Sequence, residues 1–300
     1  VSVAGTEGSE GVAADPFDAG ALDRWSEPRT FTVEPAMIAA YAAATNDLTP
    51  ESRSGTLAPP VFAIVPGWGS IGAGASIIAE DRREEIQGRV VHGEQWTDYF
   101  RPIRAGDELV VRSAAVGVHA KSSGTTVVTK IETRDAAGDP VNDQYATTFY
   151  RGVASGADAG EVAPSLGALR GKEEGQLLAT ITFPIDEDQP ARYAQASGDH
   201  NRIHLDDGFA RSVGLPGIIV HGMCTLAFAS RAARLALAQP SAAAFRRLGC
   251  RFTRPLLPGD VLTTNVFLLE DAGGVQSVRF ECSNGAGEAV LGAGYAELAT

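Results

Sequence analysis

The chain says nearly the same thing twice. The stretch FTVEPAMIAAYAAATND begins at Phe31, and FPIDEDQPARYAQASGD begins at Phe183. In this frame Phe31 matches Phe183, Tyr41 matches Tyr193 and Asp47 matches Asp199, each pair 152 residues apart. Further on, RPIRAGDEL at Arg101 returns as RPLLPGDVL at Arg254, and LAPPVFAIV from Leu57 parallels GLPGIIVHG from Gly214. A near-constant offset over this distance points to a duplicated domain of about 130 residues. The copies are expected at 29–153 and 176–300. Before them, 1–28 is rich in Gly, Ala, Ser and acids and reads as a flexible tail, with Phe17, Leu22 and Trp25 anchoring its end. Between them, 154–175 has similar composition and reads as a linker.

Each copy has the same layout. A short helix comes first, with Pro190 in the first turn of the second copy. After an irregular loop comes a helix of small and apolar residues, expected over 66–79 and over 222–237. In the latter Met223, Leu226, Ala227, Ser230, Ala233 and Leu237 recur at helical spacing. Small side chains on most faces suit a helix wrapped closely by other structure. Strand-like runs follow at 108–116, 125–133 and 144–153, then at 261–269, 275–282 and 289–296. Their β-branched residues and Gly/Asp/Asn punctuation suit antiparallel hairpins. The class is α+β, with a sheet curled around one helix in each copy.

Charge and cysteine usage exclude several functions. A net charge of −12 argues against a nucleic-acid partner, which needs a local excess of Lys and Arg. Cys224, Cys250 and Cys282 are odd in number and far apart, which indicates neither a zinc site nor a disulfide framework. Reduced thiols in the cytoplasm are the simple reading. The longest apolar region, 217–237, is interrupted by His221, Arg231 and Arg234 and does not read as a membrane span. No signal peptide is expected from the first residues.

The chemistry concentrates in YAQASGDHNRIHLDD, from Tyr193 to Asp207, which places Asp199, Asn201 and His204 within six residues just past a helix. Gly198 suits the left-handed turn that ends such a helix. His titrates near neutrality and burial raises an Asp toward it, so Asp199 and His204 form a sensible acid/base pair. Spacing alone also fits a capping Asp and an ordinary surface His. In GLPGIIVHGMCTLA, His221-Gly222 opens the small-residue helix. The free N–H groups of Gly222 and Met223 could hold an oxyanion on a thioester carbonyl, and the bare Gly222 permits close approach. Packing of the helix alone would equally call for that glycine. Arg246, Arg247, Arg251 and Arg254 cluster in FRRLGCRFTRPLLPGD, a basic run in an acidic chain that offers contacts to phosphates. A solvated face reads the same way.

These residues resemble the MaoC-like, or hydratase 2, branch of the hot-dog fold. The resemblance rests on Tyr193, Ser197, Gly198, Asp199, Asn201, Ile203, His204 and Asp206, with His221-Gly222 downstream. Arg202 departs from it, standing where the family has proline. The resemblance implies a tandem (double) hot-dog fold, a catalytic second copy and a degenerate first copy that widens the groove for an acyl chain. It also implies a homodimer and an (R)-specific hydratase/dehydratase of enoyl-CoA or carrier-protein thioesters. Asp199 and His204 would handle the protons, Asn201 would orient them, and His221, Gly222 and Met223 would face the thioester. The substrate would come as a CoA or phosphopantetheine thioester, and no metal or other cofactor is called for. In the first copy Asp47 survives, Asn46 replaces the glycine, no histidine follows five residues later and Ile64 stands in for His221. His92-Gly93 precedes a strand-like run and is expected to join a sheet ladder. A thioesterase is disfavoured because 222–237 carries no Asp or Glu. A non-catalytic acyl-binding subunit is disfavoured by the retained Asp199/His204 pair.

Overall fold

The computed structural model describes residues 15–87, 89–164 and 175–300. Residues 1–14 of the expected tail and 165–174 of the expected linker lie outside the described residues. The strands are β1 (Arg29–Thr32), β2 (Val90–Tyr99), β3 (Glu108–Lys121), β4 (Gly124–Asp135), β5 (Pro140–Arg151) and β6 (Asp158–Gly160). They continue with β7 (Gln176–Pro184), β8 (Phe245–Phe252), β9 (Val261–Ala272), β10 (Val275–Ser283) and β11 (Ala289–Ala299). All but β6 follow one another in a single sheet of order β1-β3-β4-β5-β2-β8-β11-β10-β9-β7, and β6 pairs with β3. The order is a palindrome of two copies, β1 answering β7, β2 answering β8, and so on to the edges. The copies join where β2 runs antiparallel to β8, with Glu94 opposite Arg251 and Asp98 opposite Arg247. This is the double hot-dog arrangement that the resemblance implied.

The helices are α1 (Pro35–Ala44), α2 (Pro50–Arg53), α3 (Ile64–Gly67), α4 (Glu80–Gln87), α5 (Gln189–Ser197), α6 (Asp207–Ser212) and α7 (Gly222–Ala236). The expected central helix of the second copy is α7, and Met223, Leu226, Phe228, Ala229, Ala232 and Ala233 on it are buried in one core with Leu262, Val278, Phe280 and Leu291 of the sheet. The alanines among them let the sheet approach the helix closely. α1 packs on α5, where the hydroxyls of Tyr41 and Tyr193 meet at 3.2 Å in the interior. Two buried phenols satisfy each other there, which a buried hydroxyl requires.

The central helix expected over 66–79 is not continuous. It begins earlier, as a 3-10 turn over Pro60–Ala63, passes through α3, and continues as a 3-10 stretch over Trp68–Ile77. Glycines at 67, 69, 72 and 74 carry a high backbone-entropy cost in a helix, which explains the loss of regular α geometry.

Residues 15–28, the end of the expected tail, are packed, with Phe17 and Trp25 as the expected anchors. Phe17 is buried edge-on against Tyr150 and bridges Ile78, and Arg112 stacks over Trp25. Apolar contact overrides the loop-like composition. In the described part of 154–175, β6 is held by His119, which bonds Asp158 Oδ1 at 2.6 Å and the Glu161 carbonyl at 2.9 Å. Among the described residues, no helix is long and apolar enough to cross a membrane.

Candidate active site

The site begins where α5 stops. Gly198 takes the left-handed conformation (φ 81°, ψ 3°) and its N–H returns to the Ala194 carbonyl at 3.0 Å. Glycine reaches that conformation without a Cβ penalty. The chain then turns through a series of side-chain caps. Asp199 Oδ1 accepts from the Asn201 N–H at 3.1 Å, and Asn201 Oδ1 accepts from the Ile203 N–H at 3.3 Å, opening a 3-10 turn over Arg202–His204. Asp206 caps α6 by accepting from the Phe209 N–H at 2.9 Å. Arg202 pairs with Asp206 at 2.6 Å and stacks over Phe209 at 4.3 Å. The loop is thus fixed by hydrogen bonds and stacking, without a proline at 202. Asn201 is exposed and acts as a cap, holding Asp199 through its own backbone N–H.

The turn delivers His204 into the interior, 7% exposed, where its Nδ1–H donates to the Ile219 carbonyl at 2.8 Å. A carbonyl can only accept, so this bond leaves the lone pair on Nε2. His221, the residue preceding α7, is 1% exposed and stacks on His204 at 3.7 Å with planes 23° apart. Its Nε2–H donates to the Asp199 carbonyl at 3.0 Å, tying the Asp199 turn to the start of α7. Ligand-type atoms of Asp199, His204 and His221 lie within 4.8 Å of one another. Burial raises the Asp199 carboxyl, with the nearby His204 opposing, and burial lowers His204, with the Ile219 carbonyl and Asp199 opposing. The two groups are drawn toward each other, as an acid/base pair needs. His221 is pushed by burial down to about 3 and stays neutral. A metal fits this trio poorly. An ion must lie in the plane of each imidazole that binds it, and two stacked planes 3.7 Å apart do not share such a point.

Gly222 is the first residue of α7, and no side chain caps the helix. The N–H groups of Gly222 and Met223 are therefore available at the positive end of a 15-residue helix. A Cβ at Gly222 would lie 2.9 Å from the Phe252 ring, so glycine is required here by contact. Phe252 in turn lies against His92 at 4.8 Å. His92-Gly93 does sit in the β2 ladder as expected, but His92 reaches the site through this ring. Neither Phe252 nor His92 carries a local motif, and only the β2–β8 junction brings them here.

The four arginines divide. Leu248 and Cys250 enter the core, and strand alternation sends Arg247 and Arg251 to the opposite face of the sheet from α7. There Arg247 pairs with Asp98 at 2.9 Å and Glu297 at 3.2 Å, and Arg251 pairs with Glu94 at 2.6 Å. Arg254 lies 4.0 Å from Glu288, and Arg246 bonds only backbone carbonyls.

The first copy covers the site from the other side. A Cβ at Gly198 would come within 3.7 Å of Trp68, and a Cβ at Gly72 would meet nothing within 4 Å. The first copy's own acid is disabled. Asp47 accepts from the N–H of Thr49 at 3.0 Å and from its hydroxyl, and lies 3.7 Å from Arg234. Ser52 stands where His204 does in the second copy, and Ile64 is buried in the place of His221.

The chain is similar to several known proteins. Residues 171–289 match the family described as "MaoC like domain", and residues 22–144 match "FAS1-like, dehydratase domain region". The chain is 32% identical over 180 residues to the peroxisomal multifunctional enzyme type 2 of Drosophila melanogaster, covering 59% of this chain and 30% of that protein. It is 27% identical over 187 residues to the peroxisomal enoyl-CoA hydratase 2 of Arabidopsis thaliana, covering 60% of each. The matched region therefore spans less than two thirds of either relative. A solved MaoC-like dehydratase from Phytophthora capsici superposes with a TM-score of 0.76 at 21% identity, covering 93% of this chain and 97% of that one. The fold is the double hot-dog of such proteins.

Proposed function

A MaoC-like domain forms the second half of this chain and a FAS1-like dehydratase region the first, and from that membership we propose that it is an (R)-specific enoyl-thioester hydratase/dehydratase, a hydro-lyase. The observation that carries the reading is the convergence of the Asp199 carboxyl and the His204 ring, whose Nε2 the Ile219 bond leaves unused, beside the uncapped start of α7. One water sits between the two groups. The thioester carbonyl accepts from the N–H of Gly222 or Met223, which draws electron density from C3 of the conjugated double bond. The water oxygen bonds to C3 while the pair takes one of its protons, and a proton returns through the pair to C2 on the same face. One water is consumed and no net proton is released. Dehydration runs the same steps in reverse. His221 serves as a brace, and Asn201 keeps the Asp199 turn in shape. The chemistry calls on no metal or organic cofactor, because the pair itself supplies acid and base.

The substrate we assign is an acyl-CoA, with Arg246 and Arg254 as the remaining candidates for its phosphates, since Arg247 and Arg251 are engaged elsewhere. A carrier-protein thioester shares the chemistry. Nucleic acid and membrane are not among the partners we assign. A homodimer is a separate proposal, to be checked by light scattering. Three buried free thiols suit a reducing compartment such as the cytoplasm.

The test is hydration of a panel of trans-2-enoyl-CoA and enoyl-carrier thioesters by the purified chain, with chiral analysis of the product. The expected result is the (3R)-hydroxyacyl product. The rate should fall on acidification as the pair takes up the proton that blocks its base, with burial raising Asp199 and lowering His204 from their ordinary values. An (S) product, or no turnover of any thioester, would overturn the reading.

A further inference from the structure

The acid that the first copy has disabled borders a cavity of about 540 Å³. Its walls are Ala39 and Ala43 of α1, Leu48 beyond it, Phe183 and Pro184 at the end of β7, and Phe228 of α7. Asp47, the counterpart of Asp199, lines it, whereas Ser52 and Ile64, the counterparts of His204 and His221, do not. None of Asp199, His204 and His221 lines it.

The volume lies within the range of small-molecule sites, about 300–1,000 Å³. The lining is apolar on most sides, and Leu48 at the rim is 69% exposed. Its lining carries two guanidinium groups, Arg53 and Arg231, and one carboxylate, Asp47. Arg231 stacks over Phe183 at 4.0 Å and donates to the Asn46 carbonyl, a neutral acceptor. The Arg53 guanidinium has no hydrogen bond or ion pair among the described residues. Asp47, the acid of the lining, is held by Thr49 and faces Arg234. Apolar walls with two guanidinium groups, and a single carboxylate that is held by Thr49 and faces Arg234, complement one class of molecule, an acyl tail that carries an anionic head.

We propose that this cavity is a second acyl site, distinct from the catalytic one, that binds a medium-length fatty carboxylate with its tail along Ala43 and Phe228 and its head toward Arg53 and Arg231. It carries out no chemistry, because the residues that would correspond to His204 and His221 are Ser52 and Ile64.

The experiment is calorimetric titration of the full chain with decanoate, with decanol as the uncharged comparison. Wild type, Ala43→Phe, Arg53→Gln and His204→Ala are compared, with circular dichroism confirming that each variant is folded. The expected result is saturable binding of one decanoate per chain. It should weaken at least about tenfold in Ala43→Phe, weaken in Arg53→Gln, and stay unchanged in His204→Ala. Decanol should bind more weakly than decanoate. Absence of saturable binding overturns the proposal. So does binding that Ala43→Phe and Arg53→Gln leave intact, which would place the ligand elsewhere. Because binding is read without turnover, the outcome is independent of whether the chain hydrates enoyl thioesters.

Discussion

Asp47 and Asp199 occupy the same place in two copies of one fold, and only one of them is equipped to move a proton. The backbone turn before each is preserved. Gly198 takes φ 81° and Asn46 takes φ 51°, since asparagine is among the few residues that visit the left-handed region. The difference lies in the side chains that follow. Asp199 has a histidine five residues on, braced by a second histidine at the start of a regular helix. Asp47 has a buried serine in that place and an isoleucine in the other, and its carboxylate is occupied by Thr49. The central elements differ in the same sense. α7 is a 15-residue helix whose N-terminus can stabilise negative charge, whereas the first copy has a glycine-rich, largely 3-10 stretch with room beside Gly72. A duplicated fold can keep the geometry of a turn while its chemistry drifts, because turn geometry depends on one residue and chemistry on several.

The comparison breaks most visibly at the acids and bases. His204→Ala and Asp199→Asn should each lower kcat by about 10²–10⁴, the usual worth of a general acid or base, with the fold intact by circular dichroism. Asp47→Asn and Ser52→Ala should leave kcat of the folded enzyme within about twofold. Equal losses in the two copies would refute the assignment of chemistry to the second copy.

The helix starts provide the next contrast. Gly222→Ala places a Cβ 2.9 Å from Phe252, shifting the first turn of α7 and lowering kcat on the order of 10²-fold, as a displacement of about 1 Å can. Val65→Ala, at the matching point of the first copy, should change kcat little. If Gly222→Ala were active and Val65→Ala impaired, the thioester would be bound on the wrong helix.

Stability against pH sharpens the role of His92. Burial depresses it from 6.5 to about 4, so the unfolded chain takes up the proton first. Its contribution is complete above pH 6.5 and is lost as pH falls toward 4, on the order of 2–3 kcal/mol at the lower end. Chemical denaturation of His92→Leu from pH 7 to 4 should therefore have a shallower pH slope than wild type. An unchanged slope would mean that His92 is not buried as described.

The smallest effect is expected at the junction of the copies. Arg247 is half exposed and pairs with Asp98 and Glu297 on the outer face of the sheet. Arg247→Ala should cost no more than about 1 kcal/mol in denaturant unfolding. Loss of enoyl-CoA affinity, read as a raised KM, would instead return this arginine to the phosphate site.

Much of this molecule was legible in one dimension. A repeat at constant offset dictates two copies, β-branched runs between Gly/Asp/Asn turns mark β3–β5 and β9–β11, and helical spacing marks α7, because these signals are local. The turn at Gly198 and the clustering of Asp199, Asn201 and His204 follow from adjacency in the chain. The break in the first copy's central helix was also readable, had its four glycines been weighed as helix breakers rather than as small packing residues. Other features depended on contacts between residues far apart in the chain. Phe17 reads as an anchor of the tail, but that it finds Ile78 and Tyr150 depends on packing. The ionic fate of Arg247 and Arg251 depended on Asp98 and Glu94, which only the β2–β8 pairing brings alongside. The brace that His221 makes to the Asp199 carbonyl, and the ring of Phe252 against Gly222, likewise join segments with no common motif. A sequence determines by itself whatever depends on near neighbours along the chain. Which nitrogen of His204 stays free, which charges are already spent and where a cavity persists depend on distant partners, and those were decided only by packing.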